Sequence, residues 1–132
     1  MKKPLSVKDF MKCDLVTFTP DTNVLAAIRT LLKNNISGAP VVDETGWIIG
    51  IISEYDCLKP NLISSYYNDM GPQVKDCMST EIITIKSHLS LTDAAESFLK
   101  HKVRRLPVVE NKKLIGQISR RDILEAINKS ID

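Results

Sequence analysis

VKDFM at Val7–Met11 returns as VKDCM at Val74–Met78, 67 positions further on. Self-similarity at a fixed interval marks a chain built from copies of one unit. The interval persists, pairing Thr17 with Thr84, Ala27 with Ala94, Leu32 and Lys33 with Leu99 and Lys100, and Pro40, Val41 and Val42 with Pro107, Val108 and Val109. One turn residue is then lost, and an interval of 66 matches Ile49, Gly50, Ile52, Ser53, Asp56 and Leu58 to Ile115, Gly116, Ile118, Ser119, Asp122 and Leu124. Chance does not hold a register over so many positions.

Within each copy the same order of elements follows. The β-branched runs at Leu15–Phe18 and Glu81–Ile85 read as short strands. Asn23 and Ser90 stand as N-caps before helices whose apolar faces are Val24, Ala27, Ile28, Leu31 and Leu91, Ala94, Ala95, Phe98. PVVDETGWIIGIIS and PVVENKKLIGQIS are each two apolar runs split by a polar turn, a hairpin, with Gly46 easing the first turn. A final helix closes each copy: Pro60 ends the first early, and the second runs from Arg120 to about Asn128 with Ile123, Leu124 and Ile127 facing inward. The fold class is therefore α/β, two β-α-β-β-α repeats, with the first repeat at 1–60, a connector at 61–73 pinned to the surface by Tyr66 and Tyr67, and the second repeat at 74–132. A half of this size buries little surface alone, so the repeats are expected to pack sheet to sheet with pseudo-twofold symmetry, creating two related clefts.

Composition narrows the function. With 132 residues, 43% of them hydrophobic, the chain has enough apolar surface for a core. A net charge of +2 is too small for nucleic-acid binding by counterion release, so nucleic acid is not an expected partner. Cys13, Cys57 and Cys77 are too scattered for a disulfide framework or a zinc site and read as reduced, half-buried thiols. The opening MKKPLSVKDF lacks the apolar run of a signal peptide, and no stretch reaches membrane-spanning length, which points to the cytoplasm. Catalysis finds no support: His88 and His101 have no acid or nucleophile at useful spacing, and neither a Walker loop nor a dinucleotide fingerprint is present. No catalytic cofactor or metal is expected, and the chain reads as a non-enzyme.

The most informative local pattern is Gly-x-x-Ser-x-x-Asp, as GIISEYD at Gly50–Asp56 and GQISRRD at Gly116–Asp122, joining a strand to a helix in both copies. Ser-x-x-Asp is close to a capping box, which gives it a purely structural explanation. It also has a functional one: free amides at a helix start attract phosphate, and a carboxylate one turn inside can accept ribose hydroxyls.

These two blocks, with SGAPVVD and RRLPVVE and the early Thr17 and Thr84, make the chain resemble the CBS domain family, and within it a stand-alone tandem pair, over almost the whole length. The resemblance implies a regulatory sensor that binds AMP, ADP or ATP, or less often S-adenosylmethionine, in clefts between the repeats and signals to a separate effector protein. It also implies a homodimer. Carried over by position, Asp56 and Asp122 would hold ribose hydroxyls, Ser53 and Ser119 would meet phosphate, and Thr17 and Thr84 would line the opposite wall. The backbone of Ile36, Ser37, Gly38, Ala39 and Pro40, and of Val103, Arg104, Arg105, Leu106 and Pro107, would contact the base.

The copies are not equivalent. Where the first has Glu54 and Tyr55 inside the loop, the second has Arg120 and Arg121, and where the first has Ser37 and Gly38, the second has Arg104 and Arg105. Charge-assisted hydrogen bonds to phosphate favour the second, so nucleotide is expected to occupy the Asp122 site preferentially. The competing reading is a ligand-free dimerisation or protein-interaction module that uses its exposed helices.

Overall fold

The computed structural model describes residues 5–59 and 71–131, with residue 131 placed by its backbone alone. Pro60, Tyr66, Tyr67 and most of the expected connector lie outside the described residues. The elements in chain order are α1 (Val7–Phe10), α2 (Val24–Lys33), β1 (Gly38–Val42), β2 (Ile48–Ser53), a 3-10 turn (Asp56–Leu58), α3 (Val74–Cys77), β3 (Ile85–Lys86), α4 (Leu91–His101), β4 (Arg105–Glu110), β5 (Lys113–Ser119) and α5 (Arg120–Ile131). They form two compact units, one continuous (16–82) and one discontinuous (1–15 with 83–132).

In the continuous unit α2 starts where Asn23 accepts hydrogen bonds from the amides of Leu25 and Ala26. Val24, Ala27 and Leu31 turn one helix face into a core with Phe18, Ala39, Val41, Ile52, Cys57, Val74 and Cys77. β1 and β2 pair antiparallel. Their connecting turn is held by the Asp43 carboxylate, which accepts from the amides of Thr45 and Trp47, and Gly46 takes a left-handed φ of 89°.

The discontinuous unit repeats the plan. Ser90 caps α4 reciprocally with Asp93, and Ala94 and Phe98 join Val7, Ile85, Leu106, Val108, Ile118 and Ile123 in its core. Here the hairpin turn is shorter: Asn111 and Lys112 both have positive φ (50° and 69°), the geometry of a two-residue turn whose twist suits the strands. This shorter connection accounts for the residue lost when the repeat interval drops from 67 to 66.

Two short helices are exchanged between the repeats. α3, which opens the second repeat, is bound in the continuous unit, its Val74 and Lys75 amides donating to the carbonyls of Thr22 and Pro20. α1, which opens the first repeat, is bound in the discontinuous unit, where the Val7 and Lys8 amides donate to Leu89 and Ser87. The chain beyond each helix bridges the outer hairpin strand, Ser79 to Ile51 and Lys12 to Gln117.

These bridges correct the expectation of strands at Leu15–Phe18 and Glu81–Ile85. In the first run Phe18 alone bridges, to Val41, and in the second the paired residues are Ile85 and Lys86, parallel to Val108 and Val109. High β propensity does not make a strand where the chain touches a sheet edge so briefly. A second correction concerns α5, which runs on to Ile131 and turns Ile123 and Ala126 inward. Leu124 (65% exposed) and Ile127 (40% exposed), both expected to face in, lie outward, because burying Asp122 with Ile123 and Ala126 fixes which side of the helix meets the core.

A close fit secures each exchanged segment. A Cβ built on Gly116 would stand 2.6 Å from Met11 Sδ and 3.0 Å from the Lys12 carbonyl, and one on Gly50 would stand 2.6 Å from Met78 Sδ and 3.0 Å from the Ser79 carbonyl. The methionine can shift, but the bridging carbonyl is part of the sheet. Gly116→Ala is therefore expected to lower unfolding free energy by roughly 1–3 kcal/mol, as overpacking does. Urea denaturation of the purified variant measures this, and an unchanged midpoint would show that the segment is loosely held.

Candidate ligand site

Ser119 ends β5 and α5 begins at the next residue, so the chain must turn while its first helical amides still lack partners. Ser119 Oγ accepts from the Asp122 amide at 3.1 Å, and Asp122 Oδ2 accepts from the Ser119 amide at 2.8 Å. The first copy is built alike: Ser53 Oγ accepts from the Asp56 amide at 3.2 Å, while Asp56 Oδ2 accepts from the Ser53 amide at 2.9 Å and from its hydroxyl at 3.0 Å. The capping explanation is thus realised in both copies, and both aspartates are buried.

Capping engages Oδ2 in each case. The second carboxylate oxygen meets a lysine: Lys12 Nζ lies 3.8 Å from Asp122 Oδ1, and Lys59 Nζ lies 3.9 Å from Asp56 Oδ1. Neither lysine was among the residues singled out from the sequence. Each departs from the repeat, Lys12 standing where the second copy has Ser79, and Lys59 where it has Glu125, and those departures are the signal that could have found them.

Register places the other expected residues. Arg105 lies opposite Ser119 across β4 and β5, and Gly38 lies opposite Ser53 across β1 and β2. The second copy therefore sets a guanidinium-bearing residue beside its loop where the first has no side chain. Arg120 and Arg121 are exposed in the first turn of α5, and Arg121 reaches Glu125 at 3.4 Å. Glu54 and Tyr55 are exposed at the matching turn, where the Glu54 amide donates to the Ser37 carbonyl. Thr17 and Thr84 are exposed, each one residue before the edge bridge of its unit. Ile36, Ser37, Val103 and Gly38 are half-buried, Arg104 is exposed, and Ala39, Pro40, Leu106 and Pro107 are buried in the strands, leaving those four mainly backbone to offer.

In the discontinuous unit a pocket of about 450 Å³ opens beside Asp122, with Phe10, Met11, Lys12, Ala126 and Lys129 in its wall. Asp122 is the one expected site residue that lines it. Among the described residues no group of three or more His, Cys, Asp or Glu side chains could hold a metal, and no helix is long and apolar enough to cross a membrane. His88 and His101 are exposed. All three cysteines are free; Cys13 is exposed, whereas Cys57 and Cys77 are buried, so none of the three is half-buried. Burial, with Cys57 and Asp56 nearby, pushes the Cys77 thiol up to about 11, so it stays protonated and a poor nucleophile at neutral pH.

The CBS domain family model matches residues 7–60 and again 74–129, and the chain belongs to that family as a tandem pair. It is 32% identical to the uncharacterised protein MJ1426 of Methanocaldococcus jannaschii, an alignment that covers 92% of this chain and 90% of that one. Among solved structures it resembles CBSX2 from Arabidopsis thaliana (TM-score 0.85, 31% identity, 98% of each chain). It also resembles CBSX2 in complex with AMP (TM-score 0.83, 33% identity, 96% of this chain and 98% of that one).

Proposed function

We propose that this chain is a regulatory sensor that binds an adenosine nucleotide, AMP, ADP or ATP, at the strand-to-helix turn that carries Asp122, and at lower occupancy at the turn that carries Asp56. The carrying observation is the buried aspartate at that turn, with Lys12 at its second carboxylate oxygen, Arg105 opposite Ser119 in the strand register, and Arg120 and Arg121 exposed in the first turn of α5. α5 offers first-turn amides and a positive dipole end to a phosphate, and the arginines add charge-assisted bonds. The AMP complex of CBSX2, a relative 33% identical, supports an adenosine ligand. The repeats at 1–60 and 74–132, joined by 61–73, act as one module, and ligand bound more tightly to one of its conformations shifts the population that a separate effector protein reads.

The expected behaviour is a rise of several degrees in melting temperature with one of AMP, ADP or ATP, since a ligand selective for the native state must stabilise it. By calorimetry Asp122→Ala should abolish most of the binding and Asp56→Ala should change it little. The reverse order would overturn the asymmetry. A rise with S-adenosylmethionine alone would move the ligand class from nucleotide to sulfonium.

A second function, self-association, has its own observation. Leu32 and Leu99, matched by the repeat, are 72% and 79% exposed, and Leu58 and Leu124, also matched, are 66% and 65% exposed. Leucines left outward at the same places in both copies fit a patch on each unit that a second copy of the chain covers, as twofold assemblies use one patch twice. The wild-type chain is expected to run as a dimer in light scattering, and Leu99→Glu with Leu124→Glu as a monomer. A monomeric wild type at working concentration would contradict this.

A further inference from the structure

Each buried aspartate needs a positive partner, because an uncompensated carboxylate in a protein interior is costly. Both have one at the same atom, Oδ1, and at nearly the same distance, 3.8 Å from Lys12 and 3.9 Å from Lys59. Those lysines do not come from matching positions. Lys12 belongs to the exchanged N-terminal segment, held by paired hydrogen bonds to Gln117 (2.8 and 2.9 Å), and the matching segment, held to Ile51 in the same way (2.8 and 2.9 Å), carries Ser79 there. Lys59 follows the 3-10 turn, and its matching residue Glu125 lies within α5. The repeats differ at both positions, yet each compact unit sets one lysine on the same carboxylate oxygen.

Resting on the nucleotide reading above, we infer that Lys12 is the phosphate-selecting residue of the Asp122 site: it serves as counter-ion to the carboxylate and exchanges it for the phosphate of an incoming nucleotide, as a ribose hydroxyl takes up Oδ1. The geometry suits an exchange better than a fixed pair. The Lys12 side chain is 65% exposed, its 3.8 Å separation is at the long end for an ion pair, and its four-carbon stem lets the ammonium swing. Asp122, 9% exposed and tied at Oδ2, cannot follow. Lys12 also stands in the wall of the pocket of about 450 Å³ beside Asp122, so its swing opens into space rather than into the core. A nucleoside without phosphate would displace the lysine and give it nothing in return, so Lys12 favours nucleotide over nucleoside.

The test is calorimetric titration of the full chain with AMP and with adenosine. Wild type is expected to bind AMP more tightly than adenosine. Lys12→Met, which keeps the apolar stem, is expected to weaken AMP about tenfold, the value of one charged hydrogen bond, and to change adenosine by less than about twofold. Lys12→Ser with Glu125→Lys, which installs the arrangement of the continuous unit in the discontinuous one, is expected to recover most of the AMP preference. Equal loss on both ligands, or no loss on either, would overturn the inference and leave Lys12 a structural counter-ion. A wild type that binds neither compound would overturn instead the nucleotide reading on which it rests.

Discussion

A carboxylate placed three residues beyond a serine, at the point where a strand becomes a helix, is the constraint on which most else depends. The Ser119 amide needs an acceptor as β5 ends and the Asp122 amide needs one as α5 begins, and the pair supplies both. Doing so draws Asp122 inward, fixes the rotation of α5, sends Ile123 and Ala126 into the core and leaves Leu124 and Ile127 outside. It also orients the carboxylate, with one oxygen held by the chain and the other turned to a lysine. Ser53 and Asp56 impose the same geometry on a turn that never becomes a full helix among the described residues. Fold and the proposed binding chemistry thus draw on the same two side chains.

Much of this could be read from the sequence, because the physics involved is local. Asn23 and Ser90 start their helices as such residues do, and the apolar faces of α2 and α4 are those their 3.6-residue period gives. The hairpins follow from paired apolar runs around a polar turn. What escaped was non-local. Leu15–Phe18 and Glu81–Ile85 have strand composition, but composition does not say how long a partner edge they will find. The inward turn of Asp122 that displaces Leu124 depends on a capping role shared with a buried charge, which apolar periodicity does not encode. Nothing local in the sequence links Lys12 to Asp122, which lies 110 residues further on and meets it only through the exchange of α1.

That exchange gives the module a division of labour. Each hairpin has one edge bridged by its own repeat and the other by the opening segment of the other repeat, so neither hairpin is complete from its own repeat alone. Duplication then allows divergence. The glycines under Met11 and Met78 are preserved in both copies, since the close approach there tolerates no side chain without a shift. The loop residues were free to part, and they parted in charge: Glu54 and Tyr55 against Arg120 and Arg121, Gly38 against Arg105.

The most direct test of the nucleotide assignment is an NMR titration of the labelled chain with AMP, following the backbone amides of 53–56 and 119–122 separately. The account predicts that the amides of Ser119, Arg120, Arg121 and Asp122 shift first and saturate, with those of Ser53–Asp56 moving at higher concentration. Resonances that remain in place at both turns at millimolar AMP, or that move first around Asp56, would contradict it.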